Sequence, residues 1–534
     1  MTYQRYDNTP LIELDEMELE EELQFENEYE YDTHFENNTE FEELKYNDTY
    51  LIKVYQYYLN KGYKNIIIKQ IVNLINTSFL VLFTLFLFNC VNFDTLIKIK
   101  ENTYLYEIID LTLFFNSSFS ILCFIVLMGF VILKLIKLYS SSNNYKRMKD
   151  FYNNILEIND NELQQMEWNG IVHKLSRFSN ADNINEYIIA GKIMRKENYV
   201  VALMSEDVVR NTFITRLIEW NFIYYIINHF FNYNGHLKKD LFISTKRFGL
   251  IENIKRRLKI MGFIYLLFMP FIFIFLTFHS IFKYGERFYN KPELLGGRQW
   301  NINYKWKIRE YNELEHLFIR RLEESKKHTN KYISQFNSKI VDTISRSLIF
   351  IISAFLIILV LLSFLNENIF LKLYISENKT TLWYIGVFGT LLTILKSFVI
   401  KKIKFEPHKY MDKISECLRH IPVHWKEYPH KSSIKDEVTK NYEYHIILIL
   451  KECIGVIITP YILYKFIDNI DSITNFIINN TKKDKDLGYI CNYSQFNDNI
   501  ITGDGLYISK LQTSFINFKL NNPDCDYDWS LNNE

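Results

Sequence analysis

Six apolar stretches of roughly twenty residues each constrain this chain more than any other feature, because about that many helical residues cross a bilayer core. They are 71–91, 114–138, 260–282, 347–365, 382–400 and 446–466. Lipid offers no partner for backbone polar groups, so each stretch reads as a helix that satisfies its own N–H and C=O groups. Only 16 glycines and 8 prolines in 534 residues agree with long helices rather than turn-rich β structure.

Charge between the stretches sets their direction. Lys53, Lys61, Lys64 and Lys69 precede the first stretch, and Lys134 and Lys137 sit at the exit of the second; residues 92–112 between them carry few cations. Basic loops stay cytosolic, so the N-terminus is expected in the cytosol and the first loop on the far side. Residues 139–259 are again basic and soluble in character. Within them, 213–231 (FITRLIEWNFIYYIINHFF) is aromatic and amphipathic, suited either to the membrane interface or to covering a core. A crossing by 260–282 would put 283–346, with fourteen Lys and Arg, on the far side against the same rule. Pro270 at its centre allows another reading, a re-entrant hairpin that enters from the cytosol and returns. Residues 446–466, centred on Pro460, repeat the pattern.

The expected fold is therefore an all-α polytopic membrane protein with four transmembrane helices, two proline-centred re-entrant membrane helices and a helical cytosolic portion. Hydropathy alone would give six spans. The layout is an acidic tail over 1–50, a first membrane pair within 51–138, and a cytosolic region over 139–259. The re-entrant segment 260–282, a second cytosolic region over 283–346 and a second pair within 347–400 follow. A C-terminal region over 401–534 contains the other re-entrant piece, and both termini are cytosolic.

The formal net charge of zero conceals an imbalance: residues 13–43 hold 15 acids and no Lys or Arg. That composition reads as a solvated, disordered tail and differs from a signal peptide, which starts basic and continues apolar. The six cysteines have no CxxC spacing, so neither a zinc ribbon nor a disulfide framework is indicated. No GxxxxGK[ST], GxSxG or HExxH motif appears, which leaves nucleotide hydrolysis and hydrolase chemistry without support.

Residues 306–322, WKIREYNELEHLFIRRL, have helical periodicity. Tyr311, Leu314, Leu317, Phe318 and Leu322 fall on an inward face; Arg309, Glu313, His316 and Arg320 share a polar one, where alternating charges pair. That face suits an ion-paired scaffold helix or one wall of a polar path. Glu313 and His316 also form ExxH, which binds metal in di-iron bundles only where a second such pair and further carboxylates converge. Gly386, Gly389, Thr390 and Thr393 make a small, partly polar face on the bulky stretch 382–400, suited to tight packing or to a polar path.

Seven blocks in order carry a family resemblance: IMRKENYVVALMSEDVV (193–209), LLGGRQW (294–300), WKIREYNELEHLFIRRLEES (306–325), KYISQF (331–336), HIPVHWK (420–426), LKECIGVIITPYIL (450–463) and GYICNYSQF (488–496). On these the chain resembles the autophagy-related protein 9 family from about Trp168 to Phe496. The resemblance implies a domain-swapped homotrimer with four spans and two re-entrant helices per subunit. It implies ATP-independent scrambling of phospholipids between leaflets, which is passive translocation rather than enzymatic turnover. It further implies vesicles that seed the phagophore, and location in the preautophagosomal structure, cytoplasmic vesicles, Golgi, trans-Golgi network and endosomes. A bridge-like lipid-transfer protein and autophagy initiation scaffold proteins are the implied partners; no nucleic acid, cofactor or metal is expected.

Scrambling needs a polar path that replaces headgroup hydration. The family's pore charges, just before its LGxR motif, align with Tyr289, Asn290 and Lys291, so only Lys291 keeps a charge; Glu286 and Arg287 stand slightly earlier and Arg298 is the motif's arginine. A pore threonine matches Thr390. The path-lining set is thus Glu286, Arg287, Lys291, Arg298, Arg309, Glu313, His316, Thr390 and Thr393. Two other functions fit parts of the sequence: a trimeric vesicle scaffold without scrambling, and an ion or solute transporter, although the flanks of Pro270 and Pro460 lack repeat symmetry. Asn116, at the outset of the second stretch, and Asn378, on the loop between the last pair, lie in sequons expected on the far side of the membrane.

Overall fold

The computed structural model of the chain is mostly helical and describes residues 47–93, 108–110, 118–178, 185–209, 215–290, 297–336, 339–365, 373–376, 379–397, 399, 404–497, 509–523, 525, 527 and 529. The acidic tail ahead of Asn47, Lys291 and both sequon asparagines lie outside the described residues. In chain order the helices are α1 (Asp48–Leu59), α2 (Tyr63–Cys90), α3 (Ser118–Asn154), α4 (Asp160–Leu163), α5 (Trp168–Phe178), α6 (Glu186–Ser205), α7 (Arg216–Tyr225) and α8 (Ser244–Asn290). Strand β1 (Arg298–Trp300) leads to α9 (Ile302–Ile308), α10 (Glu315–Ser334) and α11 (Lys339–Leu365). The short strands β2 (Tyr374–Ser376) and β3 (Lys379–Thr380) precede α12 (Thr381–Ser397), α13 (Pro407–Leu418), α14 (Val423–Glu427) and α15 (Ser432–Asn441). Strand β4 (Tyr442–Tyr444), α16 (His445–Asn479), strands β5 (Thr481–Asp484) and β6 (Gly488–Cys491), and α17 (Lys510–Asn521) complete the order.

Two helical pairs stand out from a packed body. Helices α2 and α3 run antiparallel, with the Tyr63 hydroxyl 3.0 Å from Ser142 and Lys134 donating to Thr77 across 3.3 Å. Helices α11 and α12 pack along one another, Phe355 against Phe388. Their outer faces are apolar and exposed, Phe350 and Phe364 among them. Exposed apolar faces of this extent mark a bilayer or protein surface. By length and composition, helices able to cross a membrane are Tyr63–Leu87, Ser244–Phe282, Ile340–Phe364 and His445–Asn479; the apolar helix Thr381–Lys396 is shorter. Most of the expected 114–138 stretch falls in α3, whose helix is described from Ser118.

The expected proline-centred hairpins do not form. Each is one continuous helix, α8 through Pro270 and α16 through Pro460. A proline removes one intrahelical hydrogen bond, at about 3 kcal/mol, yet its φ is already helical, so it bends a helix rather than reversing it. Packing of α8 along α16 offsets that cost. The two are antiparallel: Lys255 pairs with Asp471 at 2.7 Å, and a Cβ on Gly262 would lie 3.7 Å from the Pro460 carbonyl.

The body holds three apolar clusters. The first joins α6, α7, the start of α8 (Ile251, Ile254, Leu258), the second half of α16, β6 and α17. The second packs α1, the end of α3 and α5 on the other face of α6 through Ile189, Ile193 and Met194. The third surrounds Trp300, Tyr304, Trp425 and Tyr442, from β1, α9, α14 and β4, against α10 and α13. Helix α6 is buried nearly all round, so the charges it carries need partners inside the body. The amphipathic segment around 213–231 forms α7 and a 3₁₀ turn, Ile227–Phe230. It covers the first core with Ile218 and Phe222 while leaving Trp220 and Tyr224 exposed.

Candidate functional site

Residues 306–322 are not one helix. Helix α9 ends at Ile308, Arg309 is extended, Asn312 takes φ +56°, and α10 starts only at Glu315. The reason is local. Arg309, Glu310, Asn312 and Glu313 are all buried, and a straight helix would splay their side chains around its circumference. The break instead turns the backbone of 309–314 inward, where α6 and α10 can satisfy it. Asn312 donates to the Ser494 carbonyl at 2.9 Å and exchanges hydrogen bonds with Asn198, at 2.8 and 3.0 Å. Glu313 accepts the Glu310 N–H at 3.0 Å and the Arg321 Nε and Nη2 donors, each at 2.7 Å.

Arg321 is the hub. Besides Glu313, its guanidinium reaches the carbonyls of Ile308, Cys417 and Leu418 at 2.9, 3.1 and 2.8 Å. A fully engaged planar fork of this kind suits arginine and not lysine. Glu310 faces Arg419 at 2.7 Å, His420 at 3.4 Å and the Asn517 amide of α17 at 2.7 Å. Burial opposes the Glu310 charge, but the His420 ring and the Arg321 and Arg419 guanidiniums outweigh it and hold the carboxyl below its usual range. Nearby, burial pushes the Lys510 ammonium down to about 7 against the opposing pull of Glu310. It donates to Ser205 at 2.7 Å and to the Lys307 carbonyl at 2.9 Å.

The nine sequence candidates therefore separate. Arg309 pairs with Glu197 at 2.6 Å and lies against the Trp306 and Phe318 rings inside the body. Glu313 is committed to Arg321. His316 stands apart from both: its N–H donates to the Tyr55 oxygen at 3.2 Å, leaving that hydroxyl free to donate to Nδ1, 2.8 Å away. The expected shared polar face of Arg309, Glu313 and His316 is thus replaced by two buried contacts and one interhelical one, and the ExxH pair does not converge. Arg298 stacks 3.8 Å over the Tyr444 ring and donates to the Tyr442 carbonyl, which clamps β1 to β4. The side chains of Glu286 and Arg287, at the end of α8, lie outside the described residues, as does Lys291.

Thr390 and Thr393 differ in kind. Both are exposed on α12, and their hydroxyls donate within the helix to the carbonyls of Val387 and Gly389, at 2.8 and 3.0 Å. A Cβ on Gly386 or Gly389 would meet nothing within 4 Å. The small polar strip is therefore not a packing seam within its own chain. Sequence reasoning missed Arg321, Glu310 and the Asp48–Arg195 pair, in which the arginine also donates to the carbonyls of Leu487 and Tyr489 at 2.7 Å. Nothing local singled out Arg195, because Lys192, Lys196, Glu197 and Asn198 stand in the same run.

Similarity to known proteins agrees with this architecture. The family model described as Autophagy protein ATG9 matches residues 39–497. Autophagy-related protein 9 of Dictyostelium discoideum is 31% identical over 521 residues, 91% of this chain and 73% of that protein. The protein of the same name from Eremothecium gossypii is 29% identical over 85% of this chain and 53% of its own length, so the chain spans about half of that relative. The cryo-EM structure of Schizosaccharomyces pombe Atg9 superposes with a TM-score of 0.65 at 26% identity, covering 86% of this chain and all of that one. A match of this extent, over both the membrane helices and the buried polar body, means that the chain belongs to the Autophagy protein ATG9 family.

Proposed function

We propose that this multi-pass protein acts in autophagy as an ATP-independent phospholipid scramblase, letting lipid delivered to one leaflet equilibrate as the autophagosome membrane expands. The observation that carries the reading is the strip Gly386, Gly389, Thr390 and Thr393: small and partly polar, on an apolar helix, and not packed against by the described residues of its own chain. Its hydroxyls have local acceptors, so they sit in a bilayer at little cost and still offer oxygen lone pairs to a passing headgroup. The working form is a domain-swapped homotrimer on vesicles that seed the phagophore. A bridge-like lipid-transfer protein and the autophagy initiation scaffold are its partners.

In this reading α8 and α16 dip into the cytosolic leaflet rather than cross it. Support comes from their attachments. The start of α8 and the end of α16 share the first core, while β4, which opens α16, pairs with β1 and the third core. The exposed face of α16 (Ile446, Leu450, Ile454, Ile457) is apolar, and its other face lies against the body.

The test is a liposome assay with fluorescent lipid in both leaflets and a membrane-impermeant quencher. Signal loss should pass well beyond one half; a plateau near one half, as in empty liposomes, would sink the proposal. Thr390→Trp should slow the second phase by filling the strip. A second reading, a vesicle scaffold without scrambling, draws on the engagement of Arg309 and Glu313 inside the body. The half-loss plateau would favour it.

A further inference from the structure

The chain carries two opposite concentrations of charge that the proposed lipid path does not use. One is the segment 13–43, with 15 acids and no Lys or Arg, interleaved with Leu14, Leu19, Phe25, Tyr29, Phe35 and Phe41. The other is Lys238–Lys259, with eight Lys or Arg against Asp240 and Glu252. In the second, Lys246, Arg256, Arg257 and Lys259 are exposed, and Phe248 stands among them with its ring in solvent. Arg256 and Arg257 reach only the Asn253 amide, at 3.4 Å, and meet no carboxylate among the described residues.

The exit of the acidic segment lies beside this basic face. Asn47 caps α1, the Thr49 N–H donates to the Asn234 carbonyl, and His236 stands 3.9 Å from Asp48. Lys196 lies close to Asp48 and donates to Asn228 at 3.5 Å. The neighbouring His229 is held below its usual value by burial, then by Arg257 and Lys238. Glu43 is four residues from Asn47, within about 14 Å of it even in a fully extended chain. A tether that short gives the segment a millimolar-range local concentration at the face.

We propose that the acidic segment 13–43 docks on the basic face Lys238–Lys259 of its own chain. Carboxylates meet the Arg256–Arg257 side of α8, and aromatic side chains of the segment meet Phe248. The face leads directly into the apolar part of α8, which starts at Ile260, so the docked segment occupies cations that would otherwise meet anionic headgroups.

The test is zero-length carbodiimide cross-linking of the full-length protein in nanodiscs, read by mass spectrometry, with isotope-labelled and unlabelled chains mixed. Expected are links from carboxylates of 13–43 to Lys238, Lys246 or Lys259 within one chain. Their yield should fall severalfold between 50 and 500 mM salt and when phosphatidylserine replaces neutral lipid. Changing the exposed Arg256 and Arg257 to Glu, which keeps every carboxylate of 13–43 and every lysine of the face, should lower the yield severalfold. Links absent, links joining labelled to unlabelled chains, or links directed to the cations of 404–440 would overturn the proposal. A yield indifferent to phosphatidylserine would overturn the competition with lipid.

Discussion

Arg321 and Glu313 are each about 6% exposed and each is the other's charge partner, so removing one strands a charge in the body. Glu313→Gln or Arg321→Met should each cost about 3 to 5 kcal/mol, seen as a lowered melting temperature in detergent, whereas the double replacement should cost less than either. A double variant as damaging as the sum of the two would show that the pair is not the coupled unit described here. His316 makes a different prediction. Burial, then Arg320 and Lys61, depress its value from 6.5 to about 4. Between those values the unfolded chain binds more protons than the folded one, so stability falls as pH drops through that window. His316→Gln should flatten the change in melting temperature between pH 7 and pH 5, while an unaltered slope would assign the acid sensitivity elsewhere. Neither behaviour was legible from the sequence. The spacing of Arg309, Glu313 and His316 fits one helical face, and nothing local announces that Asn312 will turn left-handed; that turn is imposed by Asn198 and Ser494, more than a hundred residues away in either direction.

At the scale of elements, membrane helices were readable because length and uniform apolarity act locally. Residues 71–90 and 347–365 fall within α2 and α11, and 382–397 within α12. The proline-centred hairpins were misjudged because a proline reports only its own lost hydrogen bond and not the neighbouring helix that repays it. In α16 that packing is tight: a Cβ on Gly455 would lie 2.1 Å from Thr215 Cγ2, and Thr215 caps α7 through the Ile218 N–H. Gly455→Val should therefore displace the start of α7 and lower the melting temperature. Adding Thr215→Ser, which deletes Cγ2 but keeps the capping hydroxyl, should recover part of the loss. No recovery would mean that the clash is relieved by some other movement. The same closeness explains why 213–231 looked equally suited to an interface and to a core: α7 turns Ile218 and Phe222 onto α16 and leaves Trp220 and Tyr224 outside.

For the whole molecule, the charge distribution along the chain put 139–259, 283–346 and 401–534 on one side of the membrane, and the three apolar clusters draw segments from all three of these regions into one body. A cysteine placed at Gly297, in a background freed of native cysteines, should react with a membrane-impermeant thiol reagent from the cytosolic side only. Labelling from the opposite side would mean that α8 crosses the bilayer. The pairing of β1 with β4 then has a mechanical meaning. Three residues on each strand, with Arg298 laid over Tyr444, join the chain leaving α8 to the first turn of α16. The far ends of the same helices are riveted by Lys255 and Asp471. Bound at both extremities, they form a two-spar blade: a force that tilts one spar tilts the other, and the torque reaches the body through the strands.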